Sequence, residues 1–193
     1  MKNPVHFLRE IPLFRRLDDQ ELFDIVRICQ RHSFPVGAYI CKEGEIGTSM
    51  FILEDGEVKI TKMLVTKKVV TLATLGRGAV IGEMSLIDPA PRSATAMTLE
   101  ETVIYEITRE DFTHLKANGL TAPFKVLKEI ATTLCQRLRD TEQKLDGLVK
   151  KAENIFLDED NDEQQRQQAL DMGKELKIML EKNRGEAGGE GER

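Results

Sequence analysis

The stretch IGEMSLIDPAPRSATA, residues 81–96, combines the carboxylate of Glu83 with a lone guanidinium, Arg92, in a β-rich region. A bound phosphate needs inward-facing backbone N–H groups, small residues that let the backbone approach, and a positive charge. Residues 82–85 can begin a short helix whose first N–H groups face an anion, and Arg92 can pair with a phosphate oxygen. The stretch therefore predicts an anion-binding turn.

Glu83 indicates that the ligand is more than a phosphate. A carboxylate fits an anion site when the ligand also has a hydroxyl to donate, and a ribose 2′-hydroxyl meets that need. A phosphate and a free ribose hydroxyl in one small pocket describe a cyclic nucleotide. The alternative is an ordinary barrel corner in which Glu83 and Arg92 form a salt bridge and nothing binds.

The residues around this stretch predict a β-rich unit. Short alternating runs are separated by glycine, with turn signals about every eight to twelve residues, which is typical of an antiparallel sandwich or barrel. FILEDGEVKI, residues 51–60, predicts a hairpin that turns at Asp55-Gly56. We expect six glycines to supply positive φ at corners: Gly37, Gly44, Gly47, Gly56, Gly76 and Gly78.

Helices flank the predicted β region. Asp18 and Glu21 form a capping-box pattern before one helix, and Thr108 with Asp111 opens another in the same way. Pro123 suits the first turn of a third, longer helix. The predicted segments are a helical lead-in over 1–31, a β-barrel over 32–107, a short helix over 108–118 and a long helix over 121–156; we assign 1–120 to one domain.

A coiled-coil seam runs along the predicted long helix. Its residues alternate spacings of four and three over about four heptads, which predicts a homodimer through this helix. Thr141 is the one hydroxyl on this seam. The seam residues are Leu127, Ala131, Leu134, Leu138, Thr141, Leu145, Leu148, Ala152 and Ile155. Residues 157–193 are predicted to form an acidic linker, a short amphipathic helix and a disordered tail.

GEMSLIDPAPRSATA resembles the phosphate-binding cassette of cyclic nucleotide-binding domains, with the pattern F-G-E-[LM]-[AS]-L-x(3–5)-P-R-[SAT]-A. The resemblance covers about residues 7–150 and includes FLREIPLFRRLDDQEL and FPVGAYICKEGEIGTSMFILEDGEVKI. Ile81 stands where the family usually has phenylalanine. With the pattern of turns and helices, this implies an α+β fold: a β-barrel or jelly roll of about eight antiparallel strands, flanked by N-terminal helices and a long C-terminal helix.

The resemblance also implies a role for each residue of the cassette. Glu83 would accept from the ribose 2′-hydroxyl, and Arg92 would bind the cyclic phosphate. Gly82 would allow close backbone approach. Ser93 and the amides near Met84 and Ser85 would add contacts to the phosphate. No metal or cofactor is expected, and the cyclic nucleotide is the ligand.

CQRLRDTEQKL, residues 135–145, resembles the dimer helix of bacterial cyclic AMP receptor-type regulators. In those proteins a threonine at the place of Thr141 reaches the adenine amine, which implies cAMP as the preferred ligand and cGMP as the alternative. Glu142 replaces the family's next serine, and Ser93 is compatible with either purine. The other interpretation of Thr141 is a polar residue that a coiled coil tolerates.

Several function classes are disfavoured by the sequence. The net charge of −5 lacks the basic footprint of a nucleic-acid binder, and the short acidic segment after the long helix does not suit a DNA reader. No apolar run approaches the roughly 18 residues of a membrane helix. Three scattered cysteines indicate reduced thiols and a cytoplasmic protein.

Catalysis has no motif to support it. His6, His32 and His114 have no partner at a catalytic or metal-binding spacing, and neither a P-loop nor a nucleophile elbow is present. We therefore expect a non-enzymatic module in which cAMP reorders the long helix and signals to an unidentified protein partner. The alternative is a ligand-free dimeric scaffold of the same fold. A DNA-binding transcription regulator is the most disfavoured of the three.

Overall fold

A computed structural model describes residues 3–157 together with Gln167 and Asp171; the side chains of residues 152–157 lie outside that description. The chain divides into two compact units, Met1–Ala131 and Thr132–Arg193. The linker, short helix and tail predicted over 157–193 fall outside the described residues, apart from Leu157, Gln167 and Asp171.

Antiparallel strands of the first unit form two four-stranded sheets. One sheet has the order β1-β8-β3-β6 and the other the order β2-β7-β4-β5. With helices on either side, this confirms the predicted jelly roll. The eight strands in the described residues are β1 (Gln30–Phe34), β2 (Tyr39–Cys41), β3 (Ser49–Asp55), β4 (Val58–Met63), β5 (Val69–Leu75), β6 (Val80–Ile81), β7 (Thr95–Thr98) and β8 (Thr102–Thr108).

The helices begin where the predicted caps place them. Asp18 and Glu21 form a complete capping box, and the Asp111 N–H donates to the Thr108 hydroxyl at 3.1 Å. The four α-helices are α1 (Pro4–Arg9), α2 (Asp19–Arg27), α3 (Arg109–Ala117) and α4 (Ala122–Leu157), and two short 3-10 helices cover Pro12–Phe14 and Glu83–Leu86.

The helical lead-in is shorter than the predicted 1–31. Helix α2 ends at Arg27, and Gln30 and Arg31 belong to β1, where they pair with Glu106 and Tyr105 of β8. Strand β1 is the edge of its sheet and is largely polar, so no alternation of apolar residues marks it. Pairing with β8, which is distant in the chain, decides its conformation.

The predicted hairpin at Asp55-Gly56 is wrong. Strand β3 pairs with β6 and β8, whereas β4 pairs with β5 and β7, so the chain crosses from one sheet to the other at Gly56. Gly56 has a φ of 94°, and a Cβ there would lie 2.7 Å from the Thr102 Cα. A crossing between sheets and a hairpin turn both need a residue with positive φ. The Asp55-Gly56 dipeptide alone therefore does not distinguish the two.

The hairpin of this region is β4–β5, which the sequence did not mark. The Leu64 N–H donates to the Lys68 carbonyl at 2.9 Å, and the Lys67 N–H donates to the Leu64 carbonyl at 2.8 Å. Lys67 takes a left-handed conformation with a φ of 62°. A lysine at this position carries no turn signal, because glycine and asparagine are the residues expected there.

Buried apolar side chains from both sheets fill the space between them. Phe51 and Ile81 belong to this core, on strands that lead toward the stretch 81–96. The core cluster contains Cys41, Phe51, Leu53, Val58, Ile81, Ala96 and Ile104. The stretch is thus attached to the rigid part of the fold.

Two buried carboxylates hold the first turns of α4 against the N-terminal helices. Glu21 accepts from the Thr121 hydroxyl and from the Lys125 ammonium, both at 2.7 Å. Glu129 forms an ion pair with Arg16, whose Nε lies 2.6 Å from Oε1. Burial raises the pKa of Glu21, but the hydrogen bonds from Lys125 and Thr121 outweigh it and hold that pKa below its ordinary value.

Candidate functional site

The stretch 81–96 folds into a tight turn directly after β6. Gly82 has φ 73° and ψ 29°, and the Ser85 N–H donates to its carbonyl at 3.0 Å. Glu83 and Ser85 are buried, and Met84 is half exposed. The left-handed conformation of Gly82 allows β6 to end and the 3-10 helix to begin within one residue. We call turn 82–86 together with Arg92 the cradle.

The Arg92 guanidinium lies beneath the turn. Nη1 donates to the Ser85 hydroxyl at 2.9 Å, and Nη2 donates to the Ser49 carbonyl at 2.6 Å. The guanidinium carbon lies 5.3 Å from the centroid of the Phe51 ring, within range of a cation–π interaction. The structure thus brings Gly82, Ser85 and Arg92 together, as the sequence predicts.

Backbone hydrogen bonds hold Arg92 at both ends of its peptide unit. Its N–H donates to the Glu45 carbonyl at 2.8 Å, and its carbonyl accepts from the Gly44 N–H at 2.9 Å. Ile46 and Pro91 form an isolated antiparallel bridge beside these bonds. The segment before β7 is therefore fixed to the segment before β3, which sets the direction of the Arg92 side chain.

Two glycines make room for the guanidinium. A Cβ on Gly82 would lie 1.9 Å from Arg92 Nη1, and a Cβ on Gly47 would lie 2.1 Å from Ser85 Oγ. The predicted positive φ at Gly47 and Gly76 is wrong, since neither has it. At Gly47 a glycine is needed for close approach to Ser85.

Arg109 also contacts the cradle, and sequence reasoning missed it. Its Nε donates to the Ser85 carbonyl at 2.6 Å, and its Nη2 donates to the Gly47 carbonyl. Arg109 is the first residue of α3, where the helix dipole disfavours a positive charge. That misplaced charge is the one sequence signal that could have marked it.

Ser93 lies at the exposed side of the cradle. Its carbonyl accepts from the Lys62 ammonium at 2.7 Å, and that ammonium lies 3.6 Å from a carboxylate oxygen of Glu43. Lys62 therefore joins Ser93 to Glu43, from a strand that the sequence did not connect with the site.

Thr141 belongs to the second unit, so its predicted place at the ligand stays a prediction. Its hydroxyl donates to the Arg137 carbonyl at 2.8 Å, one helical turn earlier. The side chain is exposed in the single chain, as are Leu138 and Leu148, with exposed fractions of 60% and 53%. The seam is thus an apolar stripe without an apolar cover in the described residues.

Burial raises the pKa of the Cys41 thiol, although the nearby Arg92 charge acts in the opposite direction. The thiol therefore stays protonated as part of the core. Within the described residues, no group of three or more His, Cys, Asp or Glu side chains is placed to hold a metal ion. No helix among them is both long and apolar enough to cross a bilayer.

Known proteins resemble this chain in sequence and in fold. The family model described as the cyclic nucleotide-binding domain matches residues 31–118. The chain is 34% identical to a Cyclic AMP receptor protein from Thermus thermophilus over 137 residues, 71% of this chain and 62% of that protein. It is 35% identical to a cyclic nucleotide-gated potassium channel from Rhizobium etli over 115 residues, 56% of this chain and 29% of the channel.

A solved structure shows the same fold. The Catabolite Activator Protein of Thermus thermophilus superposes with a TM-score of 0.67 at 32% identity, over 75% of this chain and 67% of that one. The chain spans less than two thirds of the length of the curated relatives reported above.

Proposed function

The chain belongs to the cyclic nucleotide-binding domain family, and from this premise we propose that it binds cAMP in preference to cGMP and signals through α4 to a protein partner. The observation that carries the proposal is the cradle. A guanidinium lies beneath a glycine-initiated turn, with a buried carboxylate, Glu83, one residue after the glycine.

Arg92 binds the cyclic phosphate in this proposal. Its guanidinium already makes hydrogen bonds to Ser49 and Ser85, so its direction is set before the ligand arrives. The Ser85 N–H donates within the turn, so we assign the amide contact with phosphate first to Met84. Ser93 adds a hydroxyl at the exposed side, where the Lys62 ammonium donates to its carbonyl.

Glu83 accepts from the ribose 2′-hydroxyl. Its carboxylate is buried in the turn, beside the place assigned to the phosphate, and carboxylate oxygens can accept a hydrogen bond from a ribose hydroxyl. This role predicts that 2′-deoxy-cAMP binds more weakly than cAMP.

The hydrogen bond of Thr141 supports the preference for adenine. Because the hydroxyl donates to the Arg137 carbonyl, its oxygen is left to act as an acceptor. Adenine presents an amine donor at its six position, whereas guanine presents a carbonyl acceptor there. A second acceptor opposite a guanine carbonyl is unfavourable, so Thr141 selects cAMP if the base reaches it.

The exposed leucines of α4 support a homodimer. Leu138 and Leu148 repeat with Leu145 at seam spacing, and a second copy of the helix would cover them. A ligand that bridges the barrel and the helix pair favours one helix arrangement by its differential affinity for the two. The three free cysteines, of which Cys135 is exposed, support a reducing, cytoplasmic location.

A ligand-free dimeric scaffold is the second candidate function. One observation favours it: the Arg92 guanidinium already has protein acceptors in Ser49 and Ser85, as a structural arginine would. In that case Arg92 only fixes the turn to β3, and the chain acts through its helix alone.

Calorimetric titration of the full chain with cAMP, cGMP and 2′-deoxy-cAMP separates these functions. We expect cAMP to bind more tightly than cGMP. We also expect 2′-deoxy-cAMP to bind more weakly than cAMP by about 1 kcal/mol or more, the contribution of one hydrogen bond. The scaffold function predicts no heat with any of the three ligands. Equal affinity for cAMP and its 2′-deoxy form would remove the role of Glu83.

A substitution at Thr141 tests the preference for adenine over guanine. Thr141→Val should lower cAMP affinity by about 1 kcal/mol and narrow the gap to cGMP, because a methyl replaces the acceptor. Thr133→Val, on the same helix away from the seam, is the matched control and should change neither affinity. If Thr141→Val leaves both affinities intact, Thr141 is only a tolerated seam residue.

A further inference from the structure

Two arginines donate hydrogen bonds to Ser85. Arg92 Nη1 donates to its hydroxyl at 2.9 Å, and Arg109 Nε donates to its carbonyl at 2.6 Å. Arg109 Nη2 also donates to the Gly47 carbonyl. The Arg109 guanidinium therefore joins the turn 82–86 to the loop before β3, and it contacts the Ser85 carbonyl whereas Arg92 contacts the Ser85 hydroxyl.

From this arrangement we infer that Arg109 is a positioning residue of the nucleotide site. It fixes Ser85 and Gly47 against each other, so that the turn stays at the distance at which Arg92 and a phosphate can meet. The inference rests on the proposed function, because it assigns the turn a ligand. Arg109 itself acts through the backbone of Ser85 and Gly47.

The stability of α3 does not explain an arginine at this place. Arg109 is the first residue of the helix, where the dipole favours negative charge, and Glu110 and Asp111 follow the dipole rule. The Thr108 hydroxyl already caps the helix by accepting from the Asp111 N–H at 3.1 Å. The positive charge at residue 109 thus disfavours the helix, but it strengthens the hydrogen bonds to the Ser85 and Gly47 carbonyls.

The base of the Arg109 side chain is also fixed. Its backbone N–H donates to the Thr48 carbonyl at 2.8 Å, next to Gly47 and to Ser49, the residue whose carbonyl Arg92 contacts. Both arginines thus contact the beginning of β3: Arg109 through its backbone N–H and Arg92 through its guanidinium. Movement of one guanidinium changes the acceptors that surround the other.

A guanidinium suits this task better than an ammonium. Its planar fork donates in two fixed directions, and here Nε and Nη2 serve carbonyls that lie 24 and 62 residues away in the chain. A lysine has a single nitrogen on a flexible stem and keeps the charge without the fork. Arg109→Lys therefore tests the geometry while it preserves the charge.

The first measurement is binding and hydrogen exchange with Arg109→Lys in the full chain. We expect cAMP affinity to fall about tenfold or more, the equivalent of one lost charge-assisted hydrogen bond. In the ligand-free protein, exchange of the Ser85 and Ile87 amides, which donate within the turn, should speed up. Unchanged affinity with unchanged exchange would overturn the inference.

Arg77→Lys is the matched control. Arg77 likewise joins two partners, through Nη1 to the Glu54 carbonyl at 2.8 Å and through Nη2 to Glu10 at 3.1 Å, and neither partner belongs to the cradle. Its replacement should lower the melting temperature and leave cAMP affinity within about twofold, a change smaller than one hydrogen bond. An equal affinity loss in both variants would show a general effect of destabilisation and overturn the assignment.

A double-mutant cycle with Arg92→Lys separates positioning from ordinary stabilisation. If Arg109 acts by placing the turn for Arg92, its replacement should cost little further affinity, less than about threefold, once Arg92 is changed. Additive losses would overturn the positioning role. A wild type that binds no cyclic nucleotide refutes the proposed function instead, and the exchange of Ser85 and Ile87 then decides alone whether Arg109 holds the turn.

Discussion

Arg92 reaches the turn because Gly82 and Gly47 have no side chains. A Cβ at either position would enter the space of the Arg92 guanidinium or the Ser85 hydroxyl. The two glycines differ in their backbone, since Gly82 has a positive φ and Gly47 does not. The sequence pattern assigned Gly47 to a corner and the family resemblance gave Gly82 close backbone approach, whereas in the structure both leave space for Arg92 and Ser85.

Gly82→Ala tests the cradle at the scale of one residue. Alanine at a φ of 73° costs roughly 1–2 kcal/mol of stability, and its Cβ would also displace the guanidinium. We expect both a lower melting temperature and a loss of cAMP affinity of about tenfold or more, since Arg92 loses its place.

Gly78→Ala is the matched control for this substitution. Gly78 has a φ of 83°, but nothing lies within 4 Å of an added Cβ, so only the backbone strain is shared. Its melting temperature should fall in a similar way while cAMP affinity is retained. If both variants lose affinity alike, the space beside Gly82 has no special part in binding.

Helices α2 and α4 meet through Glu21, which belongs to the capping box of one and accepts hydrogen bonds from the other. Thr121 and Lys125 both donate to this carboxylate, and Asp18 donates its N–H to it at 2.9 Å. The same residue therefore caps the beginning of α2 and holds the beginning of α4. A carboxylate with so many donors is stabilised in its charged form.

The pKa of Glu21 predicts how stability changes with pH. Because this pKa is lower in the folded chain than its ordinary value of 4.5, the contribution is fully present above that value. It is lost as the pH falls through the folded pKa. Glu21→Gln should therefore lose stability at neutral pH and show a shallower decline toward acid pH than the wild type.

Urea unfolding at neutral and acid pH checks this prediction. Glu110→Gln, an exposed glutamate on α3, serves as the control and should keep the decline of the wild type. Parallel pH profiles for the wild type and Glu21→Gln would show that the contacts of Glu21 do not stabilise its charged form.

Local signals predicted the elements better than their pairing. Caps at Asp18 and Thr108 were readable because both partners lie within three residues. The crossing at Gly56 was misread as a hairpin, since pairing depends on strands far away in the chain. The β4–β5 turn was missed because Lys67 takes a conformation that its side chain does not favour.

For the site as well, contacts between residues close in the chain were predictable and contacts between distant residues were not. Arg92 and the turn lie within a dozen residues, so composition and resemblance to the family were enough to predict that they meet. Arg109 reaches the cradle from 24 residues away and Lys62 reaches Ser93 from 31 residues away, and only the fold brings them there. Thr141 depends on an arrangement between units and remains a prediction.

At the scale of the whole molecule, α4 carries an apolar stripe in which Leu138 and Leu148 are exposed among the described residues. We predict a homodimer through the seam at 127–155, because Leu138 and Leu148 would otherwise keep 60% and 53% of their surface in water. Sedimentation at micromolar concentration should show a dimer. Leu138→Asp should shift it to monomer, because a buried unpaired charge opposes the seam.

Gln143→Asp, exposed on the same helix but off the seam, is the control and should remain dimeric. A strictly monomeric wild type, with and without cAMP, would contradict the dimer. It would leave the nucleotide site in place, since the cradle is built within the first unit.

Binding of the phosphate of a cyclic nucleotide by Arg92 is tested most directly by one calorimetric comparison. Wild type and Arg92→Ala are titrated side by side with cAMP, after both are shown to be folded. We predict that the wild type binds and that the variant binds about 10- to 150-fold more weakly, which corresponds to roughly 1.5–3 kcal/mol for a charge-assisted hydrogen bond. Identical titration curves for the two proteins would contradict the claim.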